Sequence, residues 1–547
     1  MEMRATHNDG VDGDARRTAN YKPNIWNYDH LQSLTSVYND EKYKREAETL
    51  KEEVCVILAA FDHEDPLYKL ELIDEMEKLA LSSYFEEEIR ESLDKIASMK
   101  SSGNADLYST ALYLRILRQH GHHVSPDAIL RTMEEEEEKL VTSACSDGKA
   151  MLEVFEASHL GLEDECLMDR AKAFATKNIR VFNLDYDNDV EKIGKFPLHW
   201  SVSWFNAKKH IQMIQAKTNK STLQRLAGLS FNILQLQHQN ELKQILRWWR
   251  NLGVSEVLTF TRDRVVESFL WAVGVAYEPQ YESLRKWLTK AILLVLIIDD
   301  VYDMYGSNHE LQQFTTAVER WDSMEIQHLP ESIKRCFWLL YDTINNMDHE
   351  IQKEKGWNSV LPHLKKVWTG FCKALFVEAK WYHSSHSPSL SEYLDNGWTS
   401  SSGPLLSLHI LIGIGHDITQ TIHVFNNCQE IIRLSSLIIR LCNDQGTSKA
   451  ELERGDAHSS ILCHRGEANV TEAAARGHIK NLVTDSWKKI NGLFISAPRW
   501  QQPMIRYVVN TARVATFIYQ NGDGFGVQDR ETRDQVLSCL IQPLPLN

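Results

Sequence analysis

Three aspartates, Asp299, Asp300 and Asp303, stand at the end of an unbroken apolar run at 291–298 in KAILLVLIIDDVYDMYG. A run with no polar side reads as a helix buried on every face. On a helix Asp299 and Asp303 share a face one turn apart, and Asp300 lies roughly 100° away. Carboxylates at the end of a buried helix are costly unless positive charge meets them. A cluster with oxygen donors only suits a hard cation such as Mg2+. Taken alone, the same cluster reads equally well as an acidic cap at the surface.

A second set of oxygen donors lies in IIRLCNDQGTSKAELERGD. Asn443, Thr447 and Glu451 recur every four residues, so an amide, a hydroxyl and a carboxylate run along one helix face. Asp444 is adjacent but points elsewhere. The apolar residues before them mark another buried helix, which Gly446 weakens locally. Positive charge comes from Arg262 and Arg264, just before an apolar helix, and from Arg440, which shares the face of Asn443. Arginine binds phosphate through a planar fork. Each arginine alone reads as a surface ion pair of little worth. Together, two oxygen-donor clusters and arginines at the mouths of buried helices describe a metal–diphosphate cage over an apolar pocket. Trp271 lies about two turns beyond Arg264, and Tyr519 and Phe525 bracket Asp523. Such rings either stabilise a cation in a dry cavity or simply fill core.

The elements that position these residues read as helices. The chain has 547 residues, of which 43% are hydrophobic and 25% charged. That is the balance of a folded globular protein and excludes a disordered chain. Glycine (25) and proline (13) are scarce, and no stretch alternates apolar and polar residues over a strand's length. The expected fold is all-α. Residues 1–28 read as a non-helical strap; helical patterning dominates from Asp40 onward, and Gly121 closes one helix. The polar stretch at 218–222 gives the boundary between an N-terminal unit, 1–222, and a C-terminal unit, 223–547.

Net charge is −15, which makes nucleic acid an unlikely partner. Nine scattered cysteines form no framework and read as free, mostly buried thiols of a reducing compartment. No signal peptide opens the chain and no apolar run is long enough to span a bilayer. The acidic run 134–138 reads as a solvated face. Asp185, Asp187 and Asp189 begin like an EF-hand, but Val190 and Phe196 replace its glycine and glutamate, so calcium is rejected there.

These motifs resemble those of plant terpene synthases, from Arg16 to the C-terminus. Asp299, Asp300 and Asp303 match the family's DDxxD motif. Asn443, Asp444, Thr447 and Glu451 match its second metal motif, and Arg262 and Arg264 its RxR. Arg16, Arg17 and Trp26 match its tandem-arginine motif. The resemblance implies two helical domains: an N-terminal relic barrel without the DxDD acid motif, and a C-terminal class I catalytic domain. It implies three Mg2+ ions (with Mn2+ as a substitute) held by Asp299, Asp300, Asp303, Asn443, Thr447 and Glu451. It implies diphosphate binding by Arg262, Arg264 and Arg440. It places Trp271 and Tyr519 at the substrate, and Arg16, Arg17 and Trp26 in a lid.

The implied reaction ionises a prenyl diphosphate, leaves an allylic cation in a dry aromatic pocket, and ends with loss of a proton. The wording of RRTANYKPNIW, LVLIIDDVYDMYGS, CKALFVEAKWY and NGDGFG is similar to that of α-farnesene and β-ocimene synthases. Only 15 residues precede Arg16, short for a transit peptide. A cytosolic enzyme would meet farnesyl diphosphate, whereas geranyl diphosphate is mainly plastidial. The expectation is a cytoplasmic enzyme making (E,E)-α-farnesene from farnesyl diphosphate, and a monomer. β-Ocimene from geranyl diphosphate stands beside it. Linalool, myrcene or cyclic monoterpenes, and an inactive diphosphate-binding homologue, are the rival readings. A prenyl-elongating synthase would need a second DDxxD. Isoprene synthases, which the chain also resembles, shorten the pocket with phenylalanines where this chain has Ile292 and Ile439. One departure from the family is SSILCHRGE, where His464 and Arg465 replace Tyr and Met in a segment expected to be a closing loop.

Overall fold

The computed structural model describes residues 21–60, 66–99, 106–141, 148–181, 196–217, 222–454, 458–525 and 527–546, with backbone alone at 60, 135–141, 180–181, 215–217 and 449–454. It is all-α, with no strand among the described residues. Arg16, Arg17, Cys145 and the rejected calcium-loop aspartates lie outside the described residues.

The helices follow the apolar pattern. In Glu86–Ser98, Ile89, Leu93 and Ile96 are buried at intervals of four and three, and Glu86, Glu87 and Glu88 occupy the first turn, where the helix dipole favours acid. Local chemistry fixes several ends. Ser307 with Glu310, and Ser389 with Glu392, form reciprocal capping boxes. The Leu107–Gln119 helix ends at Gly121, whose φ is +79°. There His122 N donates to Leu117 O at 2.9 Å and Gly121 N to Arg118 O at 3.0 Å, the two bonds of a Schellman stop. The 31-residue helix Thr222–Leu252 buries a stripe from Leu223 to Trp249 and begins at the last residue of the polar stretch read as a boundary.

One large apolar core runs through most of the molecule. A smaller cluster, including Leu107, Leu114, Met151, Val154 and Phe174, holds together helices of the N-terminal part. In the C-terminal part, Val265–Val275, Glu282–Asp300, Leu361–Ser384, Leu390–Ser400, Gly403–Ile414, Gln429–Arg454 and Gln502–Ile518 contribute the walls of one cavity or pack against them. The apolar run at 291–298 is in the core as its composition requires, with Val295 half-buried. The acidic run sits on the Asp127–Val141 helix, where Glu134 is exposed. The eight described cysteines are free and five are buried.

Candidate active site

The cavity is about 200 Å3 and opens to solvent. Two helices supply its opposite chemistry in the same order. Along Glu282–Asp300 the lining residues are Ile292, Val295 and Leu296, then Asp299, followed by Asp303 on the next turn. Along Gln429–Arg454 they are Ile439, then Arg440, Asn443 and Thr447. Both walls pass from apolar to oxygen-bearing. Trp271, Leu406, Tyr519 and Phe525 complete the apolar part. The Trp271 ring centroid lies 5.8 Å from that of Phe525 and 6.4 Å from that of Tyr519. Trp271 Nε1 is buried without a hydrogen-bond partner, so this ring serves by its face and bulk.

The backbone changes register at the acids. Asp299 and Asp300 end the α-helix, and Val301–Tyr305 continues as a π-turn, closed by Gly306 N donating to Val301 O at 2.8 Å. Wide turns of this kind occur mostly at functional sites. Side chains hold it: Tyr302 OH bonds Thr315 Oγ1 at 2.7 Å, and Tyr305 stacks on Phe260 at 3.9 Å.

Two of the expected ligands stand elsewhere. Asp300 is 1% exposed and does not line the cavity. Its Oδ2 accepts from Arg262 N at 3.0 Å and its Oδ1 from Arg262 Nε at 3.0 Å. The 100° that separates it from Asp299 on the helix turns it to Arg262 instead of to a shared cation. Arg264 is also buried beyond the lining. Its guanidinium donates to the carbonyls of Phe525 at 2.5 Å, Asp263 at 2.8 Å and Lys22 at 3.5 Å. As the residue just before the Val265–Val275 helix, it ties strap, helix start and C-terminal loop together.

Arg262 does line the cavity, with Nη2 on Asp299 Oδ2 at 2.6 Å. Burial works against its charge, and Asp300, Tyr21 and Asp299 outweigh burial, so its pKa stands well above the ordinary value. Arg440 donates to Ser400 Oγ at 2.9 Å and lies 3.5 Å from Glu378 Oε1. Burial opposes its charge too, and Tyr393, Glu378, Asp444 and Asp299 override it. Asp444 points away as read, accepting from Tyr393 OH at 3.1 Å and Ser460 N at 2.8 Å. Burial raises the Tyr519 phenol against the lowering pull of the nearby Asn443 amide. Glu451 lies on the Gln429–Arg454 helix at a position described by backbone alone.

Trp26 lies off the cavity and donates from Nε1 to Glu267 Oε1 at 2.8 Å. His464 and Arg465 sit on a helix, Ser460–Ala468, not on a loop. Neither lines the cavity; His464 stacks on His478 at 3.9 Å, whereas Leu462 and Ser459 face the site. Sequence reasoning missed Tyr21 and Glu378, both lining residues. Each had a signal: an aromatic within the tandem-arginine segment, and an acid interrupting the apolar pattern of CKALFVEAKWY.

Among the described residues no three Asp, Glu, His or Cys side chains form a ready cation cage. The donors instead come from two walls: carboxylates of Asp299 and Asp303, and the amide and hydroxyl of Asn443 and Thr447. This hard-oxygen set fits Mg2+.

Comparison with known proteins agrees with this geometry. Residues 25–194 match the family model "Terpene synthase, N-terminal domain", and residues 250–489 match "Terpene synthase family, metal binding domain". An alpha-farnesene synthase of Ricinus communis is 47% identical over 97% of this chain and 96% of its own. An (E,E)-alpha-farnesene synthase of Malus domestica is 46% identical over 97% and 94%. The crystal structure of grey poplar isoprene synthase with three Mg2+ ions and dimethylallyl-S-thiolodiphosphate superposes with a TM-score of 0.83 at 36% identity, covering 95% of this chain and 99% of that one.

Proposed function

The chain belongs to the terpene synthase family, and from that premise we propose that it converts farnesyl diphosphate into (E,E)-α-farnesene and diphosphate. It is a carbon–oxygen lyase acting on a prenyl diphosphate with a divalent metal. The observation that carries the product reading is the apolar wall: Ile292 and Ile439, neither of them bulky, line the same cavity as the oxygen donors. That leaves depth for a long chain behind the diphosphate.

Asp299 and Asp303 on one wall, and Asn443, Thr447 and Glu451 on the other, would hold three Mg2+ ions, with Mn2+ accepted in their place. Asp300 contributes by fixing Arg262. When bound, the metal supplies positive charge against the diphosphate as the C1–O bond breaks. Arg262 and Arg440 bind the diphosphate oxygens and stay charged in their buried setting. Trp271, Tyr519 and Phe525 turn ring faces toward the allylic cation, and the aliphatic wall excludes water that would capture it. We read Arg16 and Arg17 as lid residues, and Trp26, off the cavity, as the anchor of the strap through Glu267. We read residues 1–222 as the scaffold and 223–547 as the catalytic unit, which supplies nearly the whole cavity wall, and we take the enzyme to be a monomer. Among the described residues no helix is long and apolar enough to cross a membrane. We place the enzyme in the cytoplasm, on the substrate argument alone.

The test is purified protein with Mg2+ and either farnesyl or geranyl diphosphate, with volatiles identified by gas chromatography–mass spectrometry. (E,E)-α-Farnesene from the longer substrate is expected. Products from geranyl diphosphate alone would overturn the assignment in favour of a monoterpene synthase. No product from either would point to an inactive diphosphate-binding homologue.

A further inference from the structure

Tyr21 belongs to the strap, yet it lines the cavity beside Asp299. Arg262 Cζ sits over its ring, 5.0 Å from the centroid, and Asp299 and Asp300 lie close enough to act on its phenol. The strap behind it is fastened at several points. Trp26 Nε1 donates to Glu267 Oε1 at 2.8 Å, and Tyr28 OH to Asp263 Oδ1 at 2.5 Å. Ile25 N donates to Gln528 Oε1 at 3.0 Å, and Gln528 Nε2 donates in turn to Glu267 at 2.6 Å. The ring is therefore held against one guanidinium by a strap whose ties lie at 22–28, just after it in the chain.

We propose that Tyr21 is a positioning residue that holds Arg262 on Asp299, so that strap docking and cation entry compete for one guanidinium. This rests on the prenyl diphosphate reading. Arg262 Nη2 engages an Asp299 oxygen at 2.6 Å, so a divalent ion arriving at Asp299 has to displace it. Arg262 N and Nε stay on Asp300, and Nη2 keeps an Asp300 oxygen at 2.8 Å, so the arginine stays in place when only its Asp299 contact is given up. Released from Asp299, Nη2 can turn its other N–H to the cavity that Arg262 lines, where the diphosphate binds. Tyr21 thus weakens cation binding before substrate arrives and keeps the arginine ready for the diphosphate.

The two consequences have opposite signs, which a damaged site would not reproduce. Mg2+ is titrated into the full-length chain without substrate and followed by isothermal calorimetry, with Asp299→Ala as the control that loses the heat. Tyr21→Ala is expected to bind Mg2+ about tenfold more tightly while its KM for farnesyl diphosphate rises by a similar factor, from the loss of a partly desolvated cation–π contact. Tyr21→Phe keeps the ring and should shift both quantities by a smaller amount in the same directions. Hydrogen exchange across 24–28 should match wild type in Tyr21→Phe. Unchanged or weaker Mg2+ binding in both variants overturns the proposal. So does faster exchange across 24–28 in Tyr21→Phe, because the effect would then lie in strap docking. The calorimetry needs no product, so a wild-type protein inactive on farnesyl diphosphate would refute the substrate reading and leave the Tyr21 result standing.

Discussion

Two buried arginines in this molecule each meet two carboxylates, and only one of them sits at a cavity. In the N-terminal part Arg115 bonds Glu153 through Nε and Asp74 Oδ1 through Nη2 at 2.7 Å, with Lys78 on the other Asp74 oxygen at 2.5 Å. In the C-terminal part Arg262 bonds Asp299 and Asp300. The Arg115 side chain is 2% exposed and its acids 12% and 8%. The Asp299 side chain is 28% exposed and faces the cavity. The first cluster sets two cations against two anions and is closed except at Lys78, which reaches solvent and no cavity. The second adds Asp303 on the adjoining turn and is open. Similar groups thus give a structural tie in one place and a cation site in the other, and access to a cavity makes the difference.

That contrast can be broken by two variants. Arg115→Ala leaves Asp74 and Glu153 buried beside a hole, which should cost about 3–5 kcal/mol of stability. Calorimetric melting should show it, with turnover per folded molecule unchanged. Asp299→Ala should lower kcat by roughly a hundredfold to a thousandfold, the range found when a group facing developing charge is removed. Its melting temperature should stay near that of wild type, because Asp299 is partly exposed. If Arg115→Ala abolished turnover, or Asp299→Ala unfolded the protein, the division into closed and open clusters would be wrong.

How far the sequence reveals the site follows the range of the forces that build it. Asp299, Asp303, Asn443, Thr447 and Arg440 were legible because each sits at helical spacing after a buried run. Their facing depends on the helix alone. The placements of Asp300 and Arg264 were not legible. They depend on Arg262, 38 positions from Asp300, and on Phe525, 261 positions from Arg264. Gly446 read only as a weak point in a helix. A Cβ there would lie 2.7 Å from Gly522 O and 3.2 Å from Tyr519 O, so the glycine admits the loop that carries Tyr519 and Phe525. Gly446→Ala must push backbone against backbone and should cost about 1–3 kcal/mol, as overpacked sites do. It sharpens the comparison, because this loss of stability should bring altered product ratios with it, unlike the loss in Arg115→Ala.

The smallest effect tests the closed cluster by titration. Glu156 is buried close enough to Arg115 and Glu153 to feel both, and its Oε2 accepts from Leu198 N at 2.7 Å. Burial raises this carboxyl from the ordinary 4.5 to about 7, against the pull of Arg115. A pKa higher in the folded than in the unfolded chain means the folded state binds the proton more tightly. The stabilisation is full below pH 4.5 and is lost as pH rises through about 7. Glu156→Gln keeps an oxygen for Leu198 N and cannot ionise. It should melt with wild type at pH 5 and be more stable at pH 8, by roughly 1–3 kcal/mol. Turnover per folded molecule should be the same for both proteins at each pH, because the closed cluster lies outside the cavity wall. A mutant curve that stays parallel to wild type from pH 5 to pH 8 would show that Glu156 is ionised in the folded protein. In that case the N-terminal cluster would hold more negative charge than its two cations balance, and its contrast with the acids at Asp299 would narrow.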